Sequence, residues 1–316
     1  MASKWINKDL FNNFQKEKKE EVEKPVSGGF KRMDQIWPTP EKGTVDKPKI
    51  YEGRFIPDKN GNFYKKYHYH MFTSGEKWVF LLCPKTERFE NFCPFCSATS
   101  KLFQGTAADK KAAYNYLRKD RYVSNWYIID DPRDHEREDD KKMNGTVRLY
   151  EFPGKIEQKL KEEITDTKNG LGMSIFDPGA DGYNFLLKVL STKKDKNGKI
   201  WPDYSNSAFV RRPSSIGTES EIDVIMKETH DIDGYILSMK RDDDFIIKVL
   251  KDEIIWDLVK DEWSKNKPET KPQTILEKED DIDDSIWDEP KEKSVEEESV
   301  EEDQTDEELL ADLESL

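Results

Sequence analysis

From about Lys49 the chain alternates apolar and polar positions with the period of two expected of half-buried strands. KIYEGRFIP, NFYKKYHYHMF and EKWVFLLC read as three strands, with DKNG and TSGE as the turns between them. Strand patterns return at RYVSNWYIID, GTVRLYEF, YNFLLKVL and NSAFVRR. Helical character appears in three places. TAADKKAAYNYLRK is rich in Ala and Lys, and GKIEQKLKEEI puts Ile156, Leu160 and Ile164 on one side. DDDFIIKVLKDEIIWDLVKDEW reads as a single late amphipathic helix. Residues 46–263 thus predict a core that is mainly β, with five to seven strands and added helices. Short aromatic strands in antiparallel order suggest a small barrel with additions, although an α+β sandwich fits the same pattern.

The flanks differ from this core. Residues 1–45 read as an N-terminal arm, with a short helical stretch and then a segment punctuated by Pro and Gly. Residues 264–316 are polar throughout. With 37% charged and 34% hydrophobic residues, part of the chain stays outside any packed core. The net charge of −14 divides unevenly: residues 277–316 hold 20 Asp and Glu against 3 Lys, a net of −17, which leaves +3 for residues 1–276. A mildly basic body therefore carries an acidic tail that reads as disordered. The N-terminal residues turn charged before an apolar stretch develops, and runs such as WVFLLC are far shorter than a membrane span. The expectation is a soluble protein, neither secreted nor membrane-bound.

All three cysteines fall in CPKTERFENFCPFC, spaced C-x9-C-x2-C. An odd, clustered set argues for a metal in a reducing compartment rather than a disulfide framework. Cys93 and Cys96 can take two corners of a zinc tetrahedron from one tight turn, with Cys83 entering from the end of a strand. The hairpin through TSGE returns that strand end beside His68 and His70, either of which supplies a fourth ligand. Four protein ligands leave no position for water, so such a zinc would be structural.

Aromatics interleave with cations in KAAYNYLRKDRYVSNWY, which offers Tyr114 and Tyr122 among Arg118, Lys119 and Arg121. Further candidates are Arg54 in GRF, Tyr150 in RLYEF, and Trp201 with Tyr204 in IWPDY. Single-stranded nucleic acid needs both features, flat rings for its bases and cations for its phosphates. A strand also turns about half of its rings into the core, so the pattern, not any one tyrosine, carries this reading.

The spacing His-x12-Cys-x9-Cys-x2-Cys, GRFIP before it, LRKDRYVSNWYIIDDP and YNFLLKVL after it, and a C-terminus ending DEELLADLESL resemble one family. It is that of the single-stranded-DNA-binding, helix-destabilising proteins of T-even-type bacteriophages. The resemblance covers about residues 49–250 and, in kind, the tail. It implies an OB-fold, a five-stranded barrel, with an inserted zinc subdomain at about residues 65–115. It makes His70, with Cys83, Cys93 and Cys96, the preferred ligand set. It also implies a non-enzymatic protein that coats single strands cooperatively in phage DNA replication, recombination and repair, in the cytoplasm of a bacterial host. The family's cleft residues fall on Arg54, Arg118, Lys119, Tyr122 and Tyr150, with Trp201, Tyr204 and Tyr114 at or near others. Two aromatic positions of the family hold Val123 and Glu90 here. Its basic self-association motif has its nearest analogue at Lys31 and Arg32, inside FKRMD.

In the tail, Leu309, Leu310, Leu313 and Leu316 fall at helical spacing, which suits docking into a partner's groove, and the resemblance implies that replication and recombination proteins are those partners. The tail's charge also suits a phosphate mimic that occupies the chain's own nucleic-acid cleft. Two other classes of function stay open. One is a zinc-containing nucleic-acid-processing enzyme, such as a nuclease or polymerase accessory, although H-E-x-x-H, the P-loop and Gly-x-Ser-x-Gly are all absent. The other is a protein-interaction scaffold whose rings are all core.

Overall fold

The structure is a computed structural model that describes residues 35–75, 77–86, 91–192, 194, 198 and 200–266. Lys31, Arg32, Glu90 and the four tail leucines lie outside the described residues. The strands are β1 Lys49–Ile56, β2 Lys65–Ser74, β3 Lys77–Leu82, β4 Arg118–Asp130, β5 Val147–Phe152 and β6 Phe185–Ser191, with the short β7 Pro202–Asp203 and β8 Ala208–Phe209. They pair antiparallel in the order β3-β2-β4-β1-β6-β7, with β5 on β4 and β8 on β6.

Strand β4 organises the sheet. Its 13 residues take β2 and β1 in succession along one edge, with Lys65 opposite Val123 and Ile56 opposite Asn125. Strand β5 takes the other edge. Pairing of β2 with β4 ends at His70 opposite Arg118, whereas β2 and β3 continue to Ser74 opposite Lys77. The β2–β3 hairpin therefore runs on past the end of β4. Among the described residues no pairing joins β3 or β5 to β7 or β8, so the sheet is open. This corrects the expected closed five-stranded barrel. Six of the seven expected strands form close to their patterns, whereas NSAFVRR contributes only the two residues of β8.

The helices are α1 Pro94–Phe103, α2 Ala107–Ala113, α3 Gly154–Thr165, α4 Glu219–Lys227, α5 Ile232–Ser238, α6 Asp243–Asp252 and α7 Trp256–Asn266. The single late helix expected from periodicity is two, α6 and α7. The break comes at Ile254, whose φ of 60° leaves the right-handed helical region. The helix expected from Thr106 also stops early. It passes through a 3-10 turn at Tyr114–Tyr116, and β4 starts at Arg118.

The largest core is aromatic. Phe55 meets Trp126 and Phe152 edge-on and lies beside Tyr150 and Phe185. Gly53 is required there, because a Cβ would lie 2.3 Å from the Trp126 ring. The segment ahead of β1 is strapped onto this core. Trp37 donates its backbone N–H to Leu149 at 2.8 Å and its indole N–H to Asp131 at 3.0 Å. A second cluster joins Phe72, Leu81, Phe95 and Leu102 to the apolar faces of α6 and α7. A third sets α5 against Tyr67 and Tyr69 of β2.

Candidate metal centre and nucleic-acid interface

The cysteines are positioned by three local devices. Cys83 follows β3, and its N–H continues the ladder to the His68 carbonyl at 2.8 Å. Thr86 then folds back, and its buried hydroxyl accepts from His68 N–H at 2.8 Å and donates to His68 O at 3.0 Å. Cys93 is the N-cap of α1, with Pro94 in the first helical position, so C-x2-C places Cys96 in the first turn. Thiolates at a helix N-terminus gain from its partial positive charge.

His70 completes the group. Alternation along β2 turns His70 to the face of Phe72 and Arg118, and its ring is fully buried. Its Nδ1–H donates to the Tyr116 carbonyl at 2.7 Å, which leaves Nε2 as the acceptor facing the sulfurs. His68 is engaged elsewhere, with Nδ1 on the Asp120 carboxylate at 2.5 Å. The ligand atoms of His70, Cys83, Cys93 and Cys96 all lie within 4.8 Å of one another.

The spacing suits a tetrahedral ion. Bonds of about 2.3 Å to sulfur and 2.0 Å to nitrogen imply roughly 3.8 Å between sulfurs and 3.5 Å from nitrogen to sulfur. Cys83 and Cys96 are 3.8 Å apart, and Nε2 lies 3.3 Å from Cys93 and 3.6 Å from Cys96. Burial pushes the Cys93 thiol up, while hydrogen bonds from Cys83 and Cys93 hold Cys96 well below the usual thiol range. Three thiols this close cannot all ionise unless a cation balances their charge. These four side chains could hold one metal ion, and three thiols with an imidazole suit a soft or borderline one.

The expected nucleic-acid contacts divide into three groups. Arg118 and Lys119 are exposed at the start of β4, opposite His70 and Tyr69, and among the described residues neither has an ion-pair partner. Tyr114 is exposed beside them in sequence, edge-on to Phe103. Arg121 is half-buried over the Tyr69 ring, 5.9 Å from its centroid. Trp201 is exposed and Tyr204 half-buried, beside β7 at the opposite end of the strand order.

Tyr122 is the intermediate case. Its ring is stacked on Phe152 and nearly buried, with the Lys66 ammonium 5.9 Å above it.

Two expected contacts are corrected by burial. Tyr150 is packed among Trp37, Phe55 and Trp126, so it offers no face to a base. Arg54 has no exposed surface. Its guanidinium donates to Asn184 at 3.0 Å, to Ser214 O at 2.8 Å and to the Asp177 carbonyl, and burial lowers its pKa to about 10. Gly182 is needed beside it, since a Cβ there would lie 1.9 Å from Nη1. Arg54 thus ties β1 to the 177–184 and 214 segments rather than to phosphate.

Sequence reasoning missed Thr86, whose hydroxyl fixes the His68 backbone and whose N–H bonds the Cys83 carbonyl, and Tyr116, whose carbonyl holds the His70 ring. It also missed Val123 as core: fully buried under α5, it packs where the family pattern expects an aromatic.

The described residues thus form an open antiparallel sheet, a lobe whose four clustered side chains could hold one metal ion, and exposed cations beside it. The model of the gp32 DNA binding protein like family matches residues 53–251, more than half of the chain, and the chain belongs to that family. The family's description is of DNA-binding proteins. Comparison with curated proteins finds no match. Among the described residues no helix is long and apolar enough to cross a membrane.

Proposed function

We propose that this protein binds single-stranded DNA without sequence preference and coats it during phage-type replication, recombination and repair, with no catalytic step of its own. The observation that carries the reading is the family match over residues 53–251. The chemistry agrees with it. Arg118, Lys119 and Arg121 take phosphates and release counterions, while Tyr114, Trp201 and Tyr204 receive bases. Rings accept any base and cations any phosphate, so sequence preference is weak.

The metal is zinc, held by His70, Cys83, Cys93 and Cys96, and it fixes the lobe without touching substrate. Lys31 and Arg32 contribute to assembly along the strand, and the tail leucines 309, 310, 313 and 316 dock partner proteins. The acidic tail competes with DNA, so removing residues 277–316 strengthens binding most at low salt. The working location is the host cytoplasm.

The test is a titration with oligo(dT) at several salt concentrations, with duplex DNA as competitor and zinc determined on the same material. Tight, salt-sensitive binding to the single strand and one zinc per chain are expected. Equal affinity for duplex, or magnesium-dependent cleavage of either substrate, sinks the reading.

A further inference from the structure

Trp78 is the most exposed aromatic ring among the described residues, at 73%, and nothing above gives it a role. It stands near the tip of the β2–β3 hairpin, opposite Thr73. Gly75 turns the chain there with φ of 56°, and a Cβ on it would meet nothing within 4 Å, so the tip stands in open space. The hairpin extends beyond β4, while its base is fixed where His70 and Cys83 enter the metal pocket. The ring is thus carried on a short arm that is rigid at its root.

The register decides which way it faces. Residues directly opposite in an antiparallel ladder share a face, and alternate residues along a strand share one too. Trp78 pairs with Thr73, Phe80 with Met71 and Leu82 with Tyr69. Lys119 pairs with Tyr69 and Arg121 with Tyr67 on the other side of β2, with no shift in register. Trp78, Phe80, Tyr69, Lys119 and Arg121 therefore lie on one face of the sheet.

Along that face the inner rings are used structurally. Tyr69 is buried and stacked on Phe80, 5.2 Å between centroids, with the Arg121 guanidinium over its ring. Trp78 continues the row and is left uncovered. It stands about 13 Å along the ladder from the Lys119 pair, at roughly 3.3 Å per residue. Exposed Lys77 adjoins it, and Lys119 is exposed without an ion-pair partner among the described residues.

An uncovered indole buries little and stabilises the fold little. With Lys119 and Arg121 further along the same face and exposed Lys77 next to it in the strand but on the other face, the ring can stack an unpaired base whose strand runs on toward those cations. We infer that Trp78 is a base-stacking platform, and that the hairpin extends the path of single-stranded nucleic acid from Arg121 and Lys119 out past the metal lobe. The inference rests on the proposed function and adds a contact that the aromatic segments alone did not indicate.

Fluorescein-labelled oligo(dT) titrated by anisotropy against wild type, Trp78→Ala, Trp78→Phe and Lys119→Ala tests it. Trp78→Ala should weaken binding about 5- to 150-fold, the range of one lost stacking platform, with an unchanged salt slope. Trp78→Phe should retain most of the affinity. Lys119→Ala should weaken binding with a shallower salt slope. In protein labelled with 5-fluorotryptophan, the fluorine resonance lost in Trp78→Phe should shift when oligo(dT) is added to wild type. Unchanged melting of the variants excludes misfolding as the cause. If Trp78→Ala binds within twofold of wild type while Lys119→Ala is weakened, the hairpin ring serves another partner such as a protein, and the inference fails while the proposed function stands. If wild type itself ignores oligo(dT), both fall.

Discussion

The sheet core and the metal lobe hold their shape by different means. The sheet core is built of large rings at long sequence separation: Trp37, Phe55, Trp126, Tyr150 and Phe185 meet edge-on, tilted or stacked and leave almost no surface. The lobe has little of this. Its own elements are the 10-residue α1, the 7-residue α2 and the projecting hairpin, and much of its apolar cover comes from α6 and α7. Elements that short bury little surface by themselves, and an ion held by the four clustered ligands would supply what packing does not. The two regions meet on β2 and β4, where the lobe's His70 faces Arg118 across the ladder. If an ion binds the four ligands, the geometry of the exposed cations at this junction would depend on it.

Removing the metal should separate the two regions, with the largest effect expected here. Structural zinc contributes on the order of 10–16 kcal/mol of apparent binding energy in small domains. Chelation, or His70→Ala, should release the lobe together with α6 and α7, which are tied to it by Lys101 on Leu258 O at 2.7 Å and Tyr116 on Glu253 at 2.6 Å. The aromatic core should survive. Hydrogen exchange reads this directly, with protection lost in β3, α1 and α7 but kept in β1, β5 and β6. Uniform loss across both regions would contradict the division.

The next effect belongs to the sheet side. Asp131 is fully buried and accepts from Trp37 Nε1 and from Arg133, whose guanidinium lies 5.4 Å from the Trp37 ring centroid and 5.3 Å from that of Tyr51. Burial works against its charge, yet hydrogen bonds from Arg133 outweigh it and hold the pKa below the ordinary 3.8. Asp131→Asn should cost about 3 kcal/mol near neutral pH, the scale for breaking a buried pair. A depressed carboxyl gives stability that is present above its unfolded value and lost as pH falls through its folded one. The gap between wild type and variant in urea midpoints should therefore narrow below about pH 4. A gap that stays constant to lower pH would show that charge is not the cause.

Gly53→Ala comes third and probes packing alone. The added methyl meets the Trp126 ring at 2.3 Å and Tyr127 O at 2.7 Å, and neither has room to retreat. A loss of about 1–3 kcal/mol is expected, with near-ultraviolet dichroism of the tryptophans altered and metal content unchanged. Metal loss in this variant would mean that the two regions are more tightly coupled than their clusters imply.

How far each region was legible follows from the same physics. The metal set was readable because soft ligands at fixed spacing have few other uses, and the main strands because their alternation is strong. The rest depended on long-range information. Alternation says that Tyr122 and Tyr150 share a face with a core, but not that β5 and the Trp37 strap close over Tyr150. Arg54 reads as a free cation until Asn184 and Ser214, 130 and 160 residues away, take its donors. Helix α1 was hidden because CPFCSATSKLF opens on Pro beside the cysteines and continues with small Ser, Ala and Thr, which read as a loop. Trp78 was hidden in EKWVFLLC, an apolar run whose exposed member only the hairpin's overhang reveals.

The break between α6 and α7 was illegible for a residue-specific reason, and it gives the smallest effect. Ile255 N–H bonds Leu250 O and Ile254 N–H bonds Lys251 O, both at 3.0 Å, which is the Schellman pattern that ends a helix. Leu250 and Ile255 pack together in the lobe cluster, as that motif requires. The position between helix cap and contact normally holds Gly, whose absence let the periodicity run through. Here it holds Ile254, 89% exposed and at φ 60°, where a β-branched residue is strained by about 1–2 kcal/mol. Ile254→Gly removes that strain and gives up little buried surface, but it frees the unfolded chain by about 0.5–1 kcal/mol. A net gain below about 1 kcal/mol is expected. It should appear as a small rise in the lobe's melting temperature while the sheet core's transition stays in place. An Ile254→Gly variant that melts earlier would mean that the exposed isoleucine is held by a contact of its own, and that the lobe's outer helices lean on more than the metal and the apolar cluster beneath them.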